Sequence, residues 1–220
     1  MNYAVNYFWI MDKMKFNLDK ILILCGFVGP LIFFLTIYFL FPLFFPGYNL
    51  TDDFISELGA VGSPVKILAS VFGFSLFGIF IMLFALGLFR LKEVNSLGKI
   101  AAFFIFITGI LMYLVGIFPC DVACENFSAR GDLHQKTSDY QFPILALGFV
   151  IFAFSISGNE KLKWLTPVIL ILGLATLFLA YFLFFVRDLQ NIGIWQRAAI
   201  GLPYVIMMII AWGLYKKNFS

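Results

Sequence analysis

The sequence predicts an all-α polytopic membrane protein, a bundle of six transmembrane helices with both termini in the cytoplasm. Hydrophobic residues make up 62% of the chain and charged residues 12%, whereas soluble domains carry roughly 25% charged residues. The apolar residues are grouped in six runs of about 20 residues, the length that crosses the hydrocarbon core of a bilayer. The polar connections between these runs are short. We therefore predict a single membrane domain over residues 20–217, with no separate soluble domain.

The six spans are predicted, in chain order, at 20–45, 64–89, 97–118, 140–157, 165–186 and 195–215. Each is predicted to be a helix because lipid offers no partner to an unsatisfied backbone group. The first run is too long for a signal peptide and no small-residue cleavage site follows it, so it is expected to remain as an anchor. Residues 1–19, which begin "MNYAVNYFWIMDK", are predicted to form an N-terminal cytoplasmic or interfacial segment. Either Met1 or Met14 can be the natural start.

The distribution of charge predicts the orientation. Ten of the 15 Lys and Arg residues lie on the side that holds both termini and the second and fourth connections, and the positive-inside rule places that side in the cytoplasm. We expect a multi-pass protein of the plasma membrane whose functional site faces outward. The net charge of +3 fits contact with anionic lipids rather than with nucleic acid.

The first outer segment, residues 46–64, reads "PGYNLTDDFISELGAVGSP". Phe54, Ile55 and Leu58 recur at helical spacing, which predicts a short amphipathic helix lying in the membrane interface. Glu57 lies between the apolar residues Ile55 and Leu58. It is therefore predicted to point back toward the helix bundle.

The second outer segment, "FPCDVACENFSARGDLHQKTSDYQF", holds two of the three cysteines and the only histidine of the chain. Asp121 is expected at the membrane boundary of the third span. If the fourth helix begins before its apolar run, His134, Ser138 and Gln141 share one helix face. Such a face indicates either the floor of a pocket or a helix-packing seam, and ionisable groups at a membrane boundary favour a pocket.

Cys120 and Cys124 are separated by three residues. A disulfide requires Cα atoms within about 7 Å, which one helical turn or a tight loop allows. Two free thiols remain an open alternative. A metal site is disfavoured because the chain has one histidine and a tetrahedral zinc site would need a mixed ligand set from a single loop. We predict no metal and no other cofactor.

The third outer segment, "VRDLQNIGIWQRAAIG", places Arg197 within the first turn of the last span. An arginine at that depth either extends toward the interface or pairs inside the bundle. Directed inward, it could meet Glu57 or Asp121, and its planar guanidinium could hold a carboxylate or a phosphate in two hydrogen bonds.

Three stretches, "ISELGAVGSP", "FPCD" followed by "GDLHQ", and "IGIWQR", together resemble the six-span membrane family called domain of unknown function 998, found mainly in archaea and bacteria. The resemblance covers essentially the whole chain. It implies a helical bundle and no established activity, and the cysteines are not part of the pattern. The polar residues of the predicted outer cluster that match the motifs are Ser56, Glu57, Asp121, His134, Gln196 and Arg197.

Three functions are compatible with these residues. The first is a structural or lipid-headgroup-binding accessory role, with membrane lipids, a second copy or another membrane protein as partner. The second is metal-free lipid hydrolysis, in which His134 acts as acid or base and Arg197 holds a phosphate. A transporter is less well supported, because the spans hold few polar residues near the middle of the membrane. No specific ligand is indicated.

Overall fold

A computed structural model describes the backbone of residues 2–92, 94–185 and 190–219, and within these ranges the side chains from residue 18 onward. The described part of the chain is helical and contains no β-strand. Six of its helices are long and apolar enough to cross a membrane, which confirms the predicted fold class. The side of the membrane on which the termini lie stays a prediction. The predicted interfacial side chains of residues 1–17 and the first residues of the third outer segment, 186–189, lie outside the described residues.

The helices follow one another as α1 (Asn2–Phe33), α2 (Leu76–Arg90), α3 (Ser96–Ile117), α4 (Ala129–Ile156), α5 (Leu165–Phe185) and α6 (Ile192–Phe219). The first span continues past α1 as a π-helix and then a 3₁₀-helix, Phe34–Leu40 and Phe41–Phe44. A second π-helix, Leu68–Ser75, leads into α2. Two short 3₁₀-helices, Ile55–Gly59 and Val122–Cys124, lie in the connections.

Consecutive helices pack side by side, and α1 also packs against α6, so the bundle closes on itself. The closest approach of α2 and α3 occurs at two glycines. A Cβ atom on Gly78 would lie 2.7 Å from the carbonyl oxygen of Gly109, which is closer than a side chain tolerates. Small residues allow membrane helices to pack backbone against backbone, and this pair fixes the α2–α3 crossing.

An aromatic group fills the middle of the bundle. Phe33 of α1 stacks on Phe77 of α2 with ring centroids 4.7 Å apart, and Tyr204 of α6 meets Phe77 edge to face at 4.5 Å. All three side chains are fully buried. Edge-to-face and offset contacts of this kind stabilise aromatic cores beyond the area that they bury.

Helix α4 begins at Ala129, whereas the apolar run predicts a span from residue 140. Ser128 caps the helix, since its hydroxyl accepts a hydrogen bond from Gly131 N at 3.1 Å. The polar first turns are then covered by protein, with His134, Thr137 and Gln141 all buried. The polar face that depended on an early helix start is therefore present.

Helix α5 is the most peripheral of the six. Of the most apolar 18-residue stretch of α5, only 17% is buried in the bundle, against 44–56% for the corresponding stretches of the other spans. Helix α5 therefore lies at the outside of the bundle, packed against α4 and α6.

The bundle has two ends. We call the end that carries residues 45–67, residues 118–128 and the start of α6 the His134 end. The opposite end, with the α2–α3 and α4–α5 connections, is called the Asn95 end.

Candidate functional site

Residues 46–64 fold back onto the bundle at the His134 end. Ile55 and Leu58 are fully buried, and the helix that contains them is a short 3₁₀-helix rather than an amphipathic helix on the membrane surface. The cause is attachment to α6. Gln196 Oε1 accepts a hydrogen bond from Ile55 N at 2.6 Å, and Thr51 O accepts one from Ile194 N at 3.1 Å.

Arg197 completes this attachment. Its Nη1 donates to the carbonyl oxygens of Asp53 and Gly193, both at 2.9 Å, and its Nη2 donates to the hydroxyl of Tyr48. The possibility that Arg197 meets Glu57 or Asp121 is not realised, since Arg197 forms no ion pair with either residue in the part of the chain that the structure describes. Both terminal nitrogens of the guanidinium are occupied by the loop and by α6, whereas Nε is buried without a partner.

Tyr48 links Arg197 to the loop from the other side. Its hydroxyl donates to Phe54 O at 2.9 Å. Burial raises the pKa of Tyr48 to about 12, although the nearby positive charge of Arg197 acts in the opposite direction. The phenol therefore stays protonated and keeps its donor role at neutral pH.

Glu57 closes the start of the 3₁₀-helix. Its Oε1 accepts a hydrogen bond from Phe54 N at 2.9 Å. Burial raises the pKa of the Glu57 carboxyl, and the hydrogen bond from Phe54 opposes that rise. Glu57 acts on its own loop and does not line the pocket described below.

Asp121 organises the second loop. Its carboxylate accepts hydrogen bonds from Ser128 Oγ at 2.7 Å, Ser128 N at 2.9 Å and Phe127 N at 3.1 Å, and Arg130 lies 3.4 Å away. These donors, above all the Ser128 hydroxyl, lower the pKa of Asp121. Asp121 is a clamp that holds the loop in front of α4.

Cys120 and Cys124 are joined by a disulfide, with Cα atoms 4.9 Å apart. Of the alternatives that the sequence left open, the structure has the disulfide. Ala123 and Cys124 have φ angles of 53° and 52°, in the left-handed region that disfavours residues with a side chain. The disulfide closes this turn, and Cys124 Sγ lies 3.2 Å from Ser56 Oγ of the first loop.

His134 is 3% exposed, and its two ring nitrogens have different surroundings. Nδ1 lies 2.6 Å from the carbonyl oxygen of Phe118. Because a carbonyl only accepts, Nδ1 carries the proton and Nε2 of the neutral ring is an acceptor. Nε2 is buried and has no hydrogen-bond partner.

A pocket of about 320 Å³ lies between α4, α5 and α6 at the His134 end. This volume falls within the range of roughly 300–1,000 Å³ that is usual for small-molecule sites. Its polar lining residues are Ser56, Glu125, His134, Gln135, Ser138, Asp139 and Gln196. Its apolar lining includes Phe54, Phe142, Ala180, Leu183 and Ile200.

A smaller cavity of about 30 Å³ continues toward the aromatic core. Ser56, Ser138 and Gln196 line both cavities, and Gln141 and Tyr204 line the inner one. Gln141 is 3% exposed, and its Oε1 has no hydrogen-bond partner. The inner cavity therefore has in its lining a second residue with a buried, unpaired acceptor.

The predicted cluster divides into two groups. Ser56, His134 and Gln196 line the pocket, whereas Glu57, Asp121 and Arg197 hold the loops that form its walls. Two features of the site were not predicted from the sequence. Ala180 and Leu183 of α5 line the pocket, and the hydroxyl of Tyr48 binds Arg197. The α5 run is apolar throughout, so its sequence carries no signal for a pocket wall.

The described residues offer no metal site, since no group of three His, Cys, Asp or Glu side chains in them is arranged to hold an ion. The described lining of the pocket offers hydroxyl and amide groups, the carboxylates of Glu125 and Asp139, and the imidazole of His134.

The fold and its apolar spans define a six-helix membrane protein with a pocket at one end of the bundle. The sequence profile of the family described as "Protein of unknown function (DUF998)" matches residues 27–213, so the chain belongs to that family. Neither the curated proteins nor the solved structures contain a match to the chain.

Proposed function

We propose that the protein binds an amphiphile of the membrane in the pocket at the His134 end, with the polar headgroup against α4 and the apolar chain along α5. The observation that carries this proposal is the unpaired, buried Nε2 of His134 in the wall of a 320 Å³ pocket. A buried polar atom without a partner costs free energy, unless a ligand supplies the missing bond. In the orientation predicted from the distribution of Lys and Arg, the site faces the outside of the plasma membrane.

The two sides of the pocket match the two parts of an amphiphile. Polar groups of α4 and α6 converge on one side, with His134, Ser138 and Gln196 as the central three. The other side consists of apolar residues of α5.

The peripheral position of α5 provides a route from the bilayer. Phe184 lines the pocket and is 51% exposed, so one side chain belongs to both the pocket and the outer surface of the bundle. Phe178 and Tyr181 are also exposed along α5. A lipid chain can therefore reach the pocket without leaving the apolar layer.

A pocket-filling substitution tests this proposal. Ala180→Phe places a ring in the pocket, whereas Ala175→Phe adds the same ring to the same helix at a residue that does not line it. Lipids retained after purification in a mild detergent are then quantified by mass spectrometry. We expect Ala180→Phe to lose a bound lipid that the wild type and Ala175→Phe both retain. Equal lipid content in all three proteins would overturn the proposal.

Metal-free ester hydrolysis is a second candidate, favoured by the tautomer of His134. With Nδ1–H bonded to Phe118 O, Nε2 could take a proton from the Ser138 hydroxyl as its oxygen attacks an ester carbonyl, and give that proton to the leaving alcohol. A water deprotonated by Nε2 would then attack the acyl-serine, releasing the fatty acid and returning the proton to Ser138. Release of fatty acid from lipids in nanodiscs tests this directly. Activity that is present in the wild type and absent in both His134→Asn and Ser138→Ala would establish hydrolysis, and no release by the wild type would reject it.

A further inference from the structure

We propose that the headgroup bound in this pocket is a neutral, hydroxyl-bearing one, of the glycerol or sugar type, and that it carries no phosphate at the position beside His134. This inference rests on the proposed function, because it specifies the ligand class of the same pocket. It follows from the pattern of donors and acceptors in the lining.

Two buried acceptors lie along α4, one on His134 in the lining of the pocket and one on Gln141 in the lining of the inner cavity. His134 Nε2 and Gln141 Oε1 are both buried without a partner, and the two residues lie two helical turns apart on one face of α4. A ligand satisfies them only by donating hydrogen bonds. Phosphate oxygens that have lost their protons only accept, so they would leave both groups unpaired.

The charge in and around the pocket also disfavours an anion. Glu125 and Asp139 line it, and among its described lining residues there is no Lys or Arg. Asp139 already accepts a hydrogen bond from Gln135 Nε2 at 2.6 Å. The nearby cation Arg197 does not line the pocket, and its Nη1 and Nη2 bind two backbone carbonyls and Tyr48. An anionic headgroup would lie beside the Glu125 carboxylate, with no Lys or Arg among the described lining residues.

A hydroxyl group fits the lining better than an ammonium group. An ammonium group only donates hydrogen bonds, so it cannot pair with a donor of the lining. Ser56, Ser138 and Gln196 each supply donors as well as acceptors, and Gln196 uses only its Oε1 in the hydrogen bonds of the described residues. A hydroxyl both donates and accepts, so it can pair with His134 Nε2 and with Gln196 Nε2.

The experiment measures lipid selectivity. Wild-type protein is placed in phosphatidylcholine nanodiscs doped with equal amounts of diacylglycerol, monohexosyl diacylglycerol, phosphatidylethanolamine and phosphatidate of the same acyl chains. Bound lipid is then identified by native mass spectrometry. We expect a hydroxyl lipid to be enriched about tenfold over phosphatidate, the ratio that corresponds to one or two extra hydrogen bonds. Equal or greater enrichment of phosphatidate or phosphatidylethanolamine would overturn the inference.

The variant His134→Asn tests whether His134 Nε2 is the acceptor that selects the hydroxyl-bearing lipid. The amide nitrogen of Asn can still donate to Phe118 O, but the shorter side chain places no acceptor where Nε2 lies. We expect this variant to lose the enrichment of the hydroxyl lipid while its melting temperature stays near that of the wild type. Gln141→Leu provides an independent variant that removes the second acceptor, and it is expected to lower the enrichment severalfold. Unchanged selectivity in both variants would contradict the inference.

Ala180→Phe and Ala175→Phe, measured in the same nanodiscs, distinguish a failure of the ligand class from a failure of the proposed function. If phosphatidate is enriched and Ala180→Phe abolishes that enrichment, the ligand class is wrong and the pocket stands as a lipid site. If Ala180→Phe changes the binding of no lipid, the proposed function fails, and the ligand class fails with it.

Discussion

The two ends of the bundle use their polar residues in different ways. At the Asn95 end, polar side chains cap helices, form pairs at the surface or join neighbouring helices, as Asn95 Nδ2 does by donating to Ser155 O at 2.9 Å, and one buried donor, Asn218 Nδ2, has no partner. Asn95 accepts a hydrogen bond from Gly98 N at 2.9 Å, and Lys163 pairs with Glu160 at 2.6 Å. At the His134 end, hydrogen bonds hold two loops against the bundle, and two buried acceptors without a partner belong to residues that line cavities.

This difference separates groups that close helix ends from groups that define a site. Surface pairs contribute little to stability and are easily replaced. A buried acceptor without a partner destabilises the fold, so its presence requires another explanation. At the His134 end the explanation that we propose is a ligand, and the loops held by Arg197 and Asp121 form the walls of the pocket that would receive it.

The largest expected effect is at Arg197. Arg197→Met removes the donors to Asp53 O, Gly193 O and Tyr48, and we expect a loss of about 3 kcal/mol in the free energy of unfolding, because these acceptors lose a charged partner. Thermal unfolding in detergent measures it. Arg130→Met is the matched control at the same end. Its guanidinium is 46% exposed and lies 3.4 Å from Asp121, and a loss below about 1 kcal/mol is expected. Equal effects of the two substitutions would contradict the role assigned to Arg197.

Asp121→Asn is expected to have the next largest effect, and the effect depends on pH. The folded state lowers the pKa of Asp121 from its ordinary value of 3.8, so its contribution is complete above that value and is lost as pH falls through the lowered pKa. The difference in melting temperature between wild type and variant should therefore be constant near neutral pH and shrink below about pH 4. A difference in melting temperature that grows on acidification would show that folding does not lower the pKa of Asp121.

Replacement of both cysteines by serine tests the turn beside the pocket. In the chain-entropy description, a disulfide that closes so short a loop contributes about 2 kcal/mol. We expect the double Ser variant and the wild type treated with a thiol reductant to lose similar stability. The reductant should not change the variant. A wild type insensitive to reductant would show that the disulfide contributes nothing.

The smallest effect is expected at the Asn95 end. Lys163 and Glu160 are 53% and 82% exposed, and Lys163→Ala should change stability by less than about 0.5 kcal/mol. Lipid binding at the His134 end should stay at the wild-type level. A loss above 1 kcal/mol, outside the usual range for exposed pairs, would remove the contrast between the two ends.

Much of the fold was predictable because hydropathy alone locates the spans. The early start of α4 was harder, since Ser128 and the buried face around His134 stabilise a polar stretch that has no apolar run. Helical spacing nevertheless placed His134, Ser138 and Gln141 on one face. Spacing also allowed the Cys120–Cys124 disulfide.

The partners of Arg197 could not be predicted. Two of them are backbone carbonyls, which every residue possesses, so no side-chain pattern marks them. The inward folding of residues 46–64 depends in the same way on Gln196 and Ile55 N. The pocket exists because these contacts bring the first loop against α6, and a sequence reveals the residues but not that contact.

The chain contains one histidine, so the central claim can be read from a single side chain. Protein labelled with ¹⁵N-histidine in nanodiscs gives one pair of imidazole signals. At neutral pH we predict a protonated Nδ1 and a bare Nε2, and a shift of the Nε2 signal when a hydroxyl-bearing lipid is added. A proton on Nε2 in the lipid-free protein, or an Nε2 signal that no lipid in the panel moves, would contradict the assignment of His134 to a ligand site.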